Sequence, residues 1–249
     1  MNVLVLLAGS GGDFIKNEQK YPKLLSEING KTLIEIVIEG LSSLIIPENN
    51  IIFVISKYDN ERYFLGDVIS LILPSAIVVV SEGDTAGAAL TSLLAIEYID
   101  NNDSLVLING DQLLDCNERE VIKFFIENDA DAGVIVFDSF HPRWSYVKTN
   151  EEGMVVESAE KKPISNKATA GFYYYKKSLD YIRNVKNMIL KGGSVRDKYY
   201  VCPVFNEMIL EQKKILIYPV NHQDYHSLMS QEKIEEFQKY NTFTNNKTV

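Results

Sequence analysis

Cysteine, histidine and tryptophan are scarce in this 249-residue chain, which carries two, three and one of them. Cys116 and Cys202 lie far apart, with no CxxC and no histidine at metal-ligand spacing, so a zinc framework and a disulfide scaffold are excluded. With so few histidines and cysteines, no Ser/His/Asp or Cys/His constellation offers a nucleophile and its base, and covalent catalysis is not expected. No apolar run approaches the roughly 20 residues that cross a bilayer, and the opening MNVLVLLAG lacks the basic stretch of a secretory signal. A cytoplasmic protein with no membrane partner is expected. Positive charge is in deficit, with 25 Lys and Arg against 34 Asp and Glu and a formal net charge of −9. An acidic chain without a basic face is repelled by a phosphate backbone, so no nucleic-acid partner is expected either.

Neither a repeat of fixed period nor a Pro/Gly/Ser linker divides the chain, and one domain is expected over residues 1–243. Residues 1–140 would form its first half and 141–243 its second, with an Asn/Thr/Lys-rich disordered tail at 244–249. Apolar runs at 2–7, 51–55, 77–80, 105–109 and 134–137 read as buried strands. Stretches at 33–44, 60–73, 85–98 and 118–128 read as helices. Strand and helix alternate, which predicts an α/β fold: a mostly parallel central sheet with helices on both faces and ligands beyond the carboxyl ends of the strands. After Tyr146 the rhythm changes to short strands near 146–148, 155–157 and 171–175 with turn signals between them, predicting a mixed or antiparallel extension.

The chemistry begins where the first strand ends. Ala8, Gly9, Ser10, Gly11 and Gly12 form a loop whose glycines allow backbone N–H groups to approach phosphate oxygens, although a plain structural turn would use glycines too. The run Tyr21-Pro22-Lys23 follows, in which proline fixes the backbone ahead of a lysine suited to phosphate. Asp111 closes another buried strand and is either a ligand for a hard cation or a strand-end turn residue.

In order along the chain, LLAGSGGDF, YPKLL, GKTLIEIVI, GDTAGAAL, INGDQ, EKKPIS, ATAGFYYYK, CPVFNEMI and HSLMSQEKIEEF resemble the motifs of the sugar-phosphate nucleotidyltransferases. The resemblance covers nearly the whole chain and implies a single Rossmann-like (GT-A-like) domain. Its implied reaction is transfer of a nucleoside monophosphate from a nucleoside triphosphate to a phosphorylated small molecule, with Mg²⁺ as cofactor. Within that family the SYV, EKKPIS and PVFNEM stretches look most like capsule-pathway cytidylyltransferases, such as those acting on phosphocholine or phosphoglutamine. A sugar 1-phosphate uridylyl- or thymidylyltransferase is the next reading. A glycosyltransferase of the same fold and a non-catalytic nucleotide-binding relative stay open.

The resemblance implies that residues 8–12 wrap the nucleotide phosphates, that Lys23 contacts phosphate and that Asp111 binds the metal. Asp224 is the nearest candidate for a second metal ligand, or else an exposed loop aspartate. Lys161 would contact the acceptor, with Ser145, Tyr146, Glu160 and Asn206 on the acceptor side, although Tyr146 fits the core equally. Glu82, Thr85, Gly87 and Ala88 fall in the base-reading loop. A carboxylate at Glu82 only accepts hydrogen bonds, which favours the amino group of cytosine and hence CTP. One departure stands out: Asp13 occupies the place of a family arginine that grips the triphosphate. Either Lys16 or Lys20 replaces it, or Asp13 helps hold a second Mg²⁺, or catalysis has been lost.

Overall fold

The computed structural model of the chain describes residues 1–9 and 22–245, the last five by backbone only. The strands are β1 Asn2–Leu6, β2 Glu27–Ile28, β3 Lys31–Thr32, β4 Asn50–Ser56, β5 Ile77–Ser81, β6 Leu105–Asn109 and β7 Gln112–Leu114. They continue with β8 Ala132–Asp138, β9 Ser145–Thr149, β10 Val155–Glu160, β11 Lys167–Tyr175, β12 Ile215–Pro219 and β13 Tyr225–Ser227. The helices are α1 Leu33–Gly40, α2 Lys57–Tyr63, α3 Leu65–Ile72, α4 Ala88–Leu93, α5 Glu118–Glu127, α6 Ser178–Leu190, α7 Val204–Leu210 and α8 Gln231–Asn245.

Nine strands share one sheet, in the order β10-β9-β11-β6-β1-β4-β5, with β8 joining β11 and β12 joining β8. β6, β1, β4 and β5 run parallel, so their carboxyl ends open on the same edge. β11 turns the sheet over by pairing antiparallel with β6, β8 and β9. The expected mostly parallel α/β sheet with a mixed extension is therefore the architecture found.

Alternation along the central strands splits the core in two. Val3, Val5, Ile51, Phe53 and Ile55 face a layer built by α1, α3 and α5, whereas Leu4, Ile52 and Val54 face α4, α6 and α7. A strand buried on both faces must be apolar at every position, which is why these strands read as continuous runs rather than alternating ones. A smaller cluster of Ile28, Leu33, Val37, Leu228, Ile234 and Phe237 seats α8 against α1. Thr32 starts α1 with a reciprocal capping box: Glu35 N–H donates to Thr32 Oγ1 at 3.4 Å, and Thr32 N–H donates to Glu35 Oε2 at 2.6 Å.

Three expectations about elements are corrected. The helix expected over 60–73 is two helices, because Phe64 between them takes a left-handed conformation (φ 56°) that no α-helix continues through. The helix expected over 85–98 is only α4 and a short 3₁₀ turn at Ile96–Tyr98, since Gly87 with φ 109° holds the preceding residues in a loop. At the far end α8 continues to Asn245, two residues into the segment expected to be a disordered tail.

Two predictions follow from this packing. Gly110 lies tight against β1: a methyl placed there would come 2.1 Å from Leu7 Cδ2 and 2.8 Å from its Cγ, and Leu7 is only 7% exposed. Gly110→Ala is expected to destabilise the fold by about 1–3 kcal/mol in urea unfolding, the usual cost of overpacking a core; an unchanged midpoint would refute that packing. Burial raises the Glu118 carboxyl above its ordinary range, opposed by a 2.6 Å hydrogen bond from Ser43 Oγ. The folded chain thus holds this proton more tightly than the unfolded chain, so Glu118 costs stability above its unfolded pKa and the cost vanishes below it. Thermal melts of Glu118→Gln should show a higher midpoint at pH 7 and little change near about pH 4; a lower midpoint at pH 7 would contradict the assignment.

Candidate active site

The carboxyl edge of the parallel strands gathers the principal charged groups. β1 runs out through Leu7, which donates to Val54 O at 2.8 Å, to Ala8 and Gly9, which emerge at the surface with open space beside Gly9. Ser10, Gly11 and Gly12, together with Asp13, Lys16 and Lys20, lie outside the described residues. The chain resumes at Pro22, whose extended backbone (φ −66°, ψ 157°) leads into a single 3₁₀ turn, Lys23–Leu25, anchored by buried Leu24. Burial lowers the Lys23 ammonium pKa, while the carboxylates of Asp111 and then Asp59 act to raise it. Lys23 and Asp111, the two charges singled out in the sequence, therefore sit within electrostatic reach of each other.

Asp111 is fixed by its neighbours. Gly110 donates to Leu6 O at 2.9 Å, Leu228 donates to Asp111 O at 2.8 Å, and the buried Gln112 side chain donates to Ala170 O beside Gly171 (φ 66°). A bulkier residue at 171 would meet the Gln112 amide at 2.4 Å. The INGDQ stretch is thus a strand end held by β1, β11 and the segment after β13, with its one carboxylate partly exposed.

Asp224 is not brought to Asp111. It caps its own turn, accepting from Asn221 N–H at 3.1 Å and Asn221 Nδ2 at 3.0 Å, and its carbonyl accepts from Asp115 N–H at the far end of the β7–β13 ladder. Pairing of Ser227 with Gln112 instead brings Leu228 opposite Asp111, whose carbonyl it bonds. Asp224, expected as a second metal ligand, thus stands beside Asp115 with its Oδ2 engaged in an Asx-type cap. Among the described residues, no group of three or more His, Cys, Asp and Glu converges. One partly exposed carboxylate, with a lysine within electrostatic reach, still fits Mg²⁺, which characteristically takes one or two protein carboxylates and completes its shell with substrate phosphates and water.

In the loop after β5, Ser81 Oγ donates to Gly83 O at 2.7 Å, and the Thr85 and Thr91 hydroxyls bond each other around the carbonyl of Gly87. Ala88 opens α4. Glu82 is 79% exposed and paired with Lys57 at 2.7 Å, Lys57 being the first residue after β4. The carboxylate expected to read a base is thus already matched with an ammonium.

On the extension, Ser145 Oγ donates to Glu160, whose carboxyl is pushed up by burial, with that bond and Lys161 acting the other way. Lys161 Nζ donates to Tyr200 OH at 3.1 Å. Tyr146 is corrected to a core residue: it is 0% exposed and spends its hydroxyl on His141 O at 2.7 Å. Asn206 clasps β10 from α7, accepting from Ser158 N–H and donating to Ser158 O, each at 2.9 Å, so both ends of its amide are occupied within the fold.

Sequence reasoning missed Lys57, Tyr200 and Arg143, whose guanidinium lies 4.3 Å over the Trp144 ring. Lys57 follows a strand end and could have been found by the rule that nominated Asp111. Tyr200 depends on a contact 39 residues away, for which the sequence carries no signal.

Comparison with known proteins matches residues 4–195 to the Nucleotidyl transferase family. The chain is 27% identical over 191 residues to the bifunctional protein GlmU of Methanocaldococcus jannaschii, an alignment covering 72% of this chain and 41% of that protein. It is 27% identical over 188 residues to the UTP–glucose-1-phosphate uridylyltransferase AglF of Haloferax volcanii, covering 70% of this chain and 72% of that one. The crystal structure of a nucleoside-diphosphate-sugar pyrophosphorylase from Vibrio cholerae RC9 superposes with a TM-score of 0.82 at 21% identity, covering 96% of this chain and 100% of the other. The chain thus spans less than half the length of the GlmU protein it matches. A match over residues 4–195, most of the sequence, means that the chain belongs to the Nucleotidyl transferase family.

Proposed function

We propose that this chain transfers a nucleoside monophosphate from a pyrimidine nucleoside triphosphate to a phosphorylated small molecule, releasing pyrophosphate. The observation that carries the reading is that Lys23, in its own turn, lies within electrostatic reach of Asp111, just beyond the end of β6. Phosphoryl-type transfer needs positioning and charge stabilisation rather than a protein nucleophile. An acceptor phosphate oxygen attacks the α-phosphorus, the bond from that phosphorus to the bridging oxygen of the β-phosphate breaks, and pyrophosphate leaves with the electron pair. Lys23, held by a buried turn, offsets charge on the triphosphate. Asp111 and the phosphates would hold Mg²⁺, which when bound neutralises charge on the phosphate oxygens. Residues 8–12 would wrap the phosphates with backbone N–H groups, the loop at 82–88 would face the base, and Lys161 would bind the acceptor phosphate with Ser145 and Glu160 beside it.

Two donors are supported by different observations. The Glu82 carboxylate accepts from the amino group of cytosine, which favours CTP and, with the EKKPIS and PVFNEM resemblance, a capsule-precursor cytidylyltransferase using phosphoglutamine or a related acceptor. The ammonium of Lys57, 2.7 Å from Glu82, donates to a carbonyl and favours UTP or dTTP with a sugar 1-phosphate, a reading also supported by the likeness to a uridylyltransferase. Reaction inside a cell suits all of these substrates.

Pyrophosphate release with Mg²⁺ should be measured for CTP, UTP, dTTP, ATP and GTP against phosphocholine, phosphoglutamine and sugar 1-phosphates. Release with a pyrimidine nucleotide and a phosphorylated acceptor is expected. Asp111→Asn should lower kcat by about 10²–10³-fold at unchanged fold, the scale seen when a preorganised charge-stabilising group is removed. Nucleotide binding without release across the whole panel would refute the catalytic reading in favour of a binding module disabled at Asp13.

A further inference from the structure

Lys161 and the loop at 83–88 belong to opposite halves of the chain, yet one dipeptide touches both. Lys161 ends β10 in a left-handed conformation (φ 53°), with its N–H donating to Trp144 O at 3.0 Å. Its ammonium donates to Tyr200 OH at 3.1 Å and lies 5.1 Å from the centre of the Tyr200 ring. The preceding residue, Tyr199, is stitched to the other loop by its backbone: Tyr199 N–H donates to Ala86 O at 2.7 Å, and Ala89 N–H donates to Tyr199 O at 3.0 Å. The fit leaves no room for a side chain at Gly87, where a methyl would come 2.3 Å from Tyr199 O and where φ is 109°.

Resting on the reaction proposed above, we infer that Tyr199-Tyr200 is a clasp between the nucleotide loop and the acceptor lysine, in which Tyr200 is a positioning residue for the acceptor phosphate. A lysine ammonium on a four-carbon stem is a mobile point charge. The Tyr200 oxygen, accepting one of its hydrogens at 3.1 Å, holds it in place. Because the lysine donates one hydrogen to the phenol oxygen, two ammonium hydrogens remain available for one phosphate. The backbone ladder to Ala86 and Ala89 then makes the position of that donor set depend on the loop at 83–88. Nucleotide and acceptor should therefore strengthen each other's binding reciprocally.

Tyr200→Phe leaves the ring in its packing and removes only the oxygen that accepts from the ammonium. Two readouts should be taken: steady-state kinetics with whichever nucleotide and acceptor pair releases pyrophosphate, and calorimetric titration with inorganic phosphate, which needs no turnover. Tyr200→Phe is expected to raise the acceptor KM about tenfold while kcat and the nucleotide KM stay within about twofold, the pattern of a lost binding contact. Phosphate affinity should fall in parallel, and adding Tyr200→Phe to Lys161→Ala should change neither quantity further. A wild-type acceptor KM in Tyr200→Phe, or an equal further loss in the Lys161→Ala background, would overturn the inference. Silence of the wild-type protein in every pyrophosphate assay would refute the proposed reaction instead; the phosphate titration would then decide alone, with equal affinity in wild type and Tyr200→Phe overturning the clasp.

Discussion

The close approach of the β6 turn to β1 is the constraint on which the site depends. Gly110 donates to Leu6 O at 2.9 Å and leaves no space for a Cβ against Leu7. That contact ends β6 beside the exit of β1, so the next residue, Asp111, projects where the Lys23 turn arrives. Apolar burial on both faces of β1 and β6 supplies the stability that holds this edge still, and the edge itself can then carry charge. Gly171, yielding space to Gln112, performs the same service from the antiparallel side.

An acidic chain that handles a triphosphate faces a problem of long-range repulsion. With a net charge of −9, the protein as a whole does not attract its proposed ligand. Local placement has to overcome this, and the cations that can do so sit in turns beside strands: Lys23 in the 3₁₀ turn before β2, Lys57 after β4 and Lys161 after β10. Each is set against a different partner, respectively the Asp111 carboxylate, the Glu82 carboxylate and the Tyr200 phenol. Lys23 is the most desolvated of the three, and charges act most strongly where water is excluded. A divalent cation at Asp111 would add the remaining positive charge.

The buried strands were legible because β1, β4 and β6 are apolar on both faces, and the site's location followed from the rule that ligands meet the carboxyl edge of such a sheet. Asp111 was nominated by that rule, and Lys23 by the proline that precedes it. What failed to be legible shares one cause: side chains with two credible partners. Asp224 could face a metal or its own Asn221, and the turn satisfied it first. Tyr146 could line a pocket or the core, and 0% exposure shows that packing prevailed. Phe64 breaks a helix at a residue with no glycine or proline to announce it, and the link from Lys161 to Tyr200 depends on tertiary pairing that no local pattern encodes.

The central claim is that the Lys23–Asp111 edge holds the nucleotide phosphates. Calorimetric titration of the wild-type protein and Lys23→Met with CTP and UTP in the presence of Mg²⁺, at matched circular dichroism, tests it most directly. Loss of a desolvated charge contact should weaken binding of the preferred nucleotide by at least about tenfold, with the fold unchanged. Equal affinity in the two proteins would place the phosphates elsewhere and contradict the account.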